Sequence, residues 1–309
     1  MNILVTGGNG FIGANLVDTL AAEGHHVSVF DLYPRAYESR HGNVGFIQGN
    51  LEDANLIRQV ITDRGIDIVY HLAWATIHET AVRNPRADVE LNLIPTINLL
   101  DICREVEIKQ FVFLSSGGTV YGIPGKLPVK EDAPTQPINP YGITKLAAEK
   151  YIQMYGHLYG LNYTIFRPSV PYGPFQNPRR RQGAVMVFLY KALKGEPVTI
   201  WGNGDVLRDY FYIDDLSRAL SMALNLPAGT NSILNLAGDQ AYTLNQLVEQ
   251  IEMNLHLKMQ VQYEPERKFD VPQLHLDCQA ARDLLGWTPR VSLSEGLCRT
   301  AEWLRGKVL

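Results

Sequence analysis

The sequence predicts an α/β protein built on a doubly wound parallel sheet, followed by a smaller C-terminal α/β lobe. Three observations carry this. Short aliphatic and β-branched runs alternate with helix-spaced stretches through the first half. A glycine-rich turn joins the first run to the first helix. Near residue 167 the texture changes to loop chemistry, with Pro168, Pro171, Pro174 and Pro178 close together.

In chain order, strands are expected at 3–6, 27–31, 44–48, 66–71 and 110–115. Between them Phe11, Ile12, Leu16, Val17 and Leu20 mark one helix face, Leu56, Ile57, Val60 and Ile61 a second, and Leu93, Ile97, Leu100 and Ile102 a third. Such βαβ units require right-handed crossovers and a sheet covered on both faces. Beyond the loop, helices are expected at 184–193, 243–255, 279–285 and 294–304, strands at 198–201 and 210–213, and a helix capped by Asp214. The division is 1–166 for a dinucleotide domain, with a return around 209–238, and 167–208 plus 239–309 for a substrate lobe.

Composition narrows the partners. The 309 residues carry a formal net charge of −4, so no broad basic surface advertises nucleic acid or a membrane. Three cysteines with no C-x-x-C pair argue against a disulfide framework or a zinc site. His78, His157 and His275 stand isolated, without metal-ligand spacing, so no metal is expected. No apolar run is long enough to span a membrane. The chain opens directly as strand and turn, and a cytoplasmic location is expected.

Gly7, Gly10 and Gly13 follow the first strand and open its helix. Gly7 permits the tight turn, Gly10 lets a pyrophosphate approach the backbone, and Gly13 lets helix and strand pack closely. The helix N-terminus then offers N–H groups to phosphate. This is a Rossmann-type fingerprint. Asp31, at the end of the second strand, suits the adenosine ribose hydroxyls and repels a 2′-phosphate. That favours NAD over NADP, although Arg35 nearby pulls the other way.

Tyr141 and Lys145 share a helix face at i, i+4. The spacing recurs at Tyr190–Lys194 and decides nothing alone. Context separates the two. Tyr190 lies in an apolar run, whereas Tyr141 follows the hydroxyl-rich turn Ser115-Ser116-Gly117-Gly118-Thr119-Val120-Tyr121-Gly122. A phenol is a poor base near neutrality. An adjacent ammonium and a positive nicotinamide would favour phenolate, so Tyr141 could take a substrate hydroxyl proton as hydride leaves the same carbon.

These segments, with Val69-Tyr70-His71-Leu72-Ala73, resemble the extended short-chain dehydrogenase/reductase family. Within it the chain is most similar to nucleotide-sugar epimerases and dehydratases, above all UDP-hexose 4-epimerases. Arg167-Pro168, Tyr172-Gly173-Pro174, Ile200-Trp201-Gly202-Asn203-Gly204, Arg208-Asp209-Tyr210 and Leu285-Gly286-Trp287-Thr288-Pro289 extend the likeness over essentially the whole chain. The resemblance implies NAD held by Gly7, Gly10, Phe11, Ile12, Gly13, Asp31, Asn50, Leu51, Leu72, Ala73, Trp74, Ser115, Tyr141, Lys145 and Pro168. It implies catalysis by Tyr141 and Lys145 with a hydroxyl from Thr119 or Ser116. It also implies a UDP-sugar bound by Thr119, Tyr141, Trp201, Arg208, Arg267 and Asp270, and a homodimer formed through helices near 89–106 and 140–159. Tyr151, Ile152, Tyr155 and Tyr159 form the expected apolar stripe.

Two positions depart from the family pattern. Gly117 stands where the family commonly carries Ser or Thr, so Thr119, Ser116 or a water held by Gly117 and Gly118 must replace that hydroxyl. Val170 stands where Asn usually contacts phosphate, and the arginines at 179–181 are the possible compensation. Gly118 and Thr119 replace the Asp-Glu of the family's dehydratases, which disfavours elimination of water. The expectation is a UDP-sugar 4-epimerase with bound NAD. The alternatives are a keto-sugar reductase and a dinucleotide-sensing protein of reduced activity.

Overall fold

A computed structural model describes residues 1–34, 39, 41–179, 183–267 and 270–308. Arg35, Arg180 and Arg181 lie outside the described residues.

Seven parallel strands form the central sheet. Their order is Val44–Gln48, His26–Asp31, Asn2–Thr6, Ile68–His71, Gln110–Leu114, Tyr163–Pro168 and Ser232–Leu236. Strand order reverses direction between Asn2–Thr6 and Ile68–His71, so a crevice opens beyond the carboxyl ends of those two strands. The strand period of two sorts the apolar residues onto the two faces. Ile3 and Val5 join Leu16, Val17 and Leu20 in one core, while Leu4 joins Phe30, Ile57 and Leu99 in the other.

Two strands were not apparent in the apolar pattern. Tyr163–Pro168 contains Arg167 and ends in proline, and Ser232–Leu236 contains Asn235. Both polar side chains are buried, which a single-sequence pattern cannot anticipate because their partners are remote. Asn235 accepts from the Tyr121 hydroxyl at 2.7 Å and donates to the Val129 carbonyl at 3.0 Å.

The expected helix over 89–106 is divided. Val89–Leu93 forms a wider π turn, and the α-helix proper is Ile94–Glu105. Pro95 has no N–H to continue the preceding ladder, and a wider turn accommodates that loss. The helix expected from Asp214 starts one residue earlier, as Ile213–Met222, with Tyr212 at the cap position. Asp214 therefore lies inside the first turn, where a carboxylate still suits the helix dipole. The Asp215 carboxylate receives the backbone N–H groups of Arg290 and Val291 at 3.0 Å each, tying this helix to the C-terminal segment.

Beyond the sheet, Val198–Trp201 pairs with Val261–Glu264, Leu207–Arg208 with Tyr242–Thr243, and Val170–Tyr172 with Tyr210–Tyr212. Val170 packs against the main core, with no polar function to offer a phosphate. The stripe expected on Pro140–Tyr159 is split. Ile152 and Tyr155 are buried inside, whereas Ile143, Tyr151, Met154, Leu158 and Tyr159 are exposed. No helix among the described residues is long and apolar enough to cross a membrane.

Candidate active site

The glycine turn is shaped by close approach. Gly7 has φ +70°, and a Cβ there would fall 2.7 Å from the Ala73 backbone. A Cβ at Gly13 would fall 2.3 Å from the Gly7 carbonyl oxygen, so only glycine lets the helix Phe11–Ala22 seat against the turn. At Gly10 the nearest atom would be the Gly7 oxygen at 3.3 Å, which leaves that side of the loop open. Phe11 and Ile12 form the first helical residues and pack against the core. The cradle has the form a pyrophosphate requires.

Asp31 ends its strand beside this turn. Its carboxylate accepts the Asn9 backbone N–H at 3.0 Å and the Tyr33 N–H at 3.2 Å. Leu72 donates its N–H to the Thr6 carbonyl at 3.1 Å, which brings Leu72 and Ala73 along the same edge. Asn50 is exposed, with its side chain turned to Glu52 at 2.6 Å, and Leu51 packs on the second core. Pro168 ends the strand paired with Ser232–Leu236.

Tyr141 and Lys145 enter from the helix Pro140–Tyr159. Asn139 caps it, accepting the Gly142 N–H at 2.9 Å. Pro140 fills the first position, and Gly160, at φ +71°, ends it. Lys145 is buried, and its Nζ donates to the Leu114 carbonyl at 2.7 Å. Burial pulls its pKa down to about 7, against the opposing influence of Glu149 and Asp88. Burial pushes the Tyr141 phenol well above its usual range, and the Asp88 charge adds to this. This is opposite to the depressed phenol that an adjacent ammonium and a bound nicotinamide would produce. In the chain alone burial and the Asp88 charge both favour the neutral phenol, so phenolate requires added positive charge at the ring. The second pair differs: Lys194 Nζ lies 2.8 Å from Glu196 and 5.2 Å from the Tyr190 ring centroid, a surface arrangement.

The hydroxyl-rich turn divides its duties. Ser115 donates its hydroxyl proton to Glu149 inside the protein, which leaves that oxygen only its acceptor capacity. Among the described residues the Thr119 hydroxyl makes only a long bond, 3.4 Å to the Ser116 carbonyl, and Thr119 lies against Gly142, the neighbour of Tyr141. Ser116 is half-buried, and its hydroxyl has no hydrogen bond among the described residues. At Gly117 a Cβ would fall 2.5 Å from Leu276 Cδ1 and 2.8 Å from the Arg167 carbonyl oxygen. The side of Gly117 is therefore packed shut, and the open direction is at Gly118, whose Cβ would meet only Ser116 Oγ at 3.8 Å.

On the opposite side, Arg267 pairs with Asp270 at 2.7 Å and lies 4.2 Å over the Trp201 ring. Arg208 donates to the Leu207 and Val271 carbonyls at 2.7 and 2.6 Å. Two stretches distant in sequence, 201–208 and 267–270, thus bring Trp201, Arg208, Arg267 and Asp270 into one basic corner, suited to phosphate oxygens. Arg179 is exposed.

His78 was read as an isolated histidine. Its ring lies 4.7 Å from that of Tyr141, edge-on, and neither ring nitrogen has a hydrogen bond among the described residues. Burial holds its pKa down to about 4; Asp270 opposes this, while Arg208 and Arg267 reinforce it. It therefore stands, neutral, beside the phenol and within electrostatic reach of the basic corner. Trp74 packs edge-on to Tyr141 at 6.2 Å, and its buried indole N–H has no partner among the described residues. An orphaned donor beside an open glycine cradle fits an acceptor supplied by a bound dinucleotide.

A glycine cradle, a strand-end acid and a Tyr/Lys helix at one switch point define a dinucleotide-dependent enzyme of the Rossmann class. Residues 3–237 match the NAD dependent epimerase/dehydratase family, and the chain belongs to it. The UDP-glucose 4-epimerase of Mycolicibacterium smegmatis is 34% identical over 313 residues, covering 99% of each chain. The structure of a UDP-glucose 4-epimerase with UDP-glucose from Thermotoga maritima covers 100% of both chains at 37% identity, with a TM-score of 0.95. That of a Thermus thermophilus UDP-glucose 4-epimerase in complex with NAD also covers 100% of both, at 32% identity and a TM-score of 0.92.

Proposed function

We propose that this chain is an NAD-dependent 4-epimerase, an isomerase acting on a UDP-sugar of the UDP-glucose/galactose, UDP-N-acetylhexosamine or UDP-glucuronate type. The observation that carries the reading is the placement of Tyr141 and Lys145 at the switch-point crevice, facing the Trp201, Arg208, Arg267 and Asp270 corner across His78. Residues 1–166 with 209–238 serve as the dinucleotide domain, and 167–208 with 239–309 as the substrate lobe.

The chemistry that bound NAD would supply is a reversible hydride acceptor for C4 of the sugar. Gly7, Gly10 and Gly13, with the helix N-terminus, hold the pyrophosphate, and Asp31 holds the adenosine ribose. Arg208 and Arg267 hold the UDP diphosphate, and Trp201 borders the nucleobase. Tyr141 takes the O4 proton as C4 is oxidised and returns it after the 4-keto sugar has turned over. Lys145 keeps positive charge beside the phenol, and Thr119 positions O4, with Ser116 as the second hydroxyl. Gly118 and Thr119 provide no carboxylate for elimination, which separates this site from dehydratase chemistry.

The test is C4 inversion by purified protein offered UDP-glucose, UDP-N-acetylglucosamine and UDP-glucuronate, without added NADH. Inversion of any one supports the reading, and no inversion of all three overturns it. Stoichiometric NADH consumption would identify a reductase instead. The protein acts in the cytoplasm as a homodimer, with Leu91, Ile94, Ile143, Met154 and Leu158 as the apolar face. Sedimentation showing only monomer at micromolar concentration would exclude the dimer.

A further inference from the structure

Lys145 is a charged side chain in an apolar enclosure. Its Nζ lies 3.6 Å from the centroid of the Trp74 ring and 4.8 Å from that of Phe113, with the Tyr141 ring at 6.0 Å. The Leu114 carbonyl is its one hydrogen-bond acceptor among the described residues. An ammonium has three donors, and burying it with one acceptor disfavours the charged form.

The surrounding charges offer limited relief. Glu149, one turn further along the same helix, is paired with Arg167 at 2.6 Å from the neighbouring strand. Asp88, from the helix Pro85–Asp88, is engaged with Thr76 and Asn92. His71, on the strand Ile68–His71, is neutral, its pKa driven down to about 3 by burial and by Lys145 itself. Tyr141 is a neutral phenol in the chain alone. Of the three aromatic rings around the ammonium, the nearest is the face of an indole, the best cation–π partner among the side chains.

We propose that Trp74 is a positioning residue for Lys145, whose indole face keeps the buried ammonium charged and aimed at the Tyr141 edge of the crevice. The inference rests on the reading of Lys145 as the ammonium partner of Tyr141. A four-carbon stem with free rotation needs such a support, because the single carbonyl bond does not fix the ammonium's direction. Phe113 closes the enclosure from the sheet, and Trp74–Phe113 contact at 6.0 Å holds the indole in place.

Trp74→Leu and Trp74→Phe separate aromaticity from packing. Both keep an apolar wall, but only phenylalanine keeps a π face. The Lys145 Cε signal, assigned with Lys145→Met in lysine-labelled protein, reports the titration directly without recourse to turnover. Loss of the π face is expected to lower the midpoint by about 0.4–1.5 pH units in Trp74→Leu, with Trp74→Phe closer to the parent. At a pH above both midpoints, the charged fraction and kcat should fall about 3- to 30-fold in Trp74→Leu, and the alkaline limb of the kcat profile should move to lower pH. An unchanged Lys145 midpoint in Trp74→Leu overturns the proposal, as does a drop in Trp74→Phe as large as that in Trp74→Leu. A Lys145→Met protein with full epimerase activity would instead overturn the reading of the site, leaving the titration result to stand alone.

Discussion

The Arg167 guanidinium and the Glu149 carboxylate meet at 2.6 Å, with their side chains 2% and 0% exposed. Arg167 belongs to the sixth strand in chain order and Glu149 to the helix that carries Tyr141 and Lys145. Arg167 also donates to the Tyr121 hydroxyl at 2.9 Å, and Ser115 donates to the same Glu149. The network therefore fastens the helix of Tyr141 and Lys145 to the sheet and to both ends of the hydroxyl-rich turn.

Breaking one side of this pair should be far worse than replacing both. Glu149→Ala leaves a buried guanidinium without its counter-charge and should cost about 3–5 kcal/mol in urea unfolding. A Glu149→Leu/Arg167→Met double variant should recover most of that loss. Equal losses in the two proteins would show that the pair's charge balance is not what the fold depends on.

Tyr141→Phe should abolish epimerisation, because it removes the proposed proton carrier. Thr119→Val keeps the shape and deletes one hydroxyl, and should slow the reaction about 30- to 1,000-fold, equivalent to about 2–4 kcal/mol of barrier. Ser116→Ala should slow it less. Bound NAD, measured after release from denatured protein, should remain in all three. A Thr119→Val enzyme with the parent rate would transfer the positioning role to Ser116.

Restoring the family hydroxyl at position 117 should not help. In Gly117→Ser the new Cβ meets the Arg167 carbonyl oxygen at 2.8 Å, and backbone cannot retreat as a side-chain tip can. A loss of about 1–3 kcal/mol in thermal or urea unfolding is expected. Leu276→Ala in the same protein should relieve only the contact with the leucine side chain, not the backbone clash. A Gly117→Ser protein as stable as the parent would refute this account.

Acid should destabilise the fold through its buried neutral histidines. Burial lowers the folded-state pKa of His71 to about 3 and of His78 to about 4, both below the ordinary 6.5. Between those values and 6.5 the unfolded chain binds more protons, so their contribution is fully present above pH 6.5 and is lost as pH falls toward 4. His78→Phe should lose less stability than the parent between pH 7 and 4.5, read as the change in urea midpoint. Parallel pH dependences would rule out His78 as a contributor.

The first five strands, the glycine turn and the Tyr141/Lys145 helix were legible in the sequence because each rests on local rules: apolar period, glycine conformation, and an i, i+4 pair after the hydroxyl-rich turn. The two remaining strands were not, since Arg167 and Asn235 interrupt the apolar pattern and become tolerable only when Glu149, Tyr121 and Val129 close around them. Asp214 reads as a cap by itself, yet pairing of Tyr210–Tyr212 with Val170–Tyr172 ends that strand at Tyr212, and the helix begins at Ile213. The site divides in the same way. Residue types and spacing singled out Gly7, Gly10, Gly13 and Asp31, and the hydroxyl-rich turn before them singled out Tyr141 and Lys145. Only the folded chain sets Trp74 over Lys145 and His78 against Tyr141, and turns Ser115 inward to Glu149, because contact and burial depend on segments that sequence spacing does not connect.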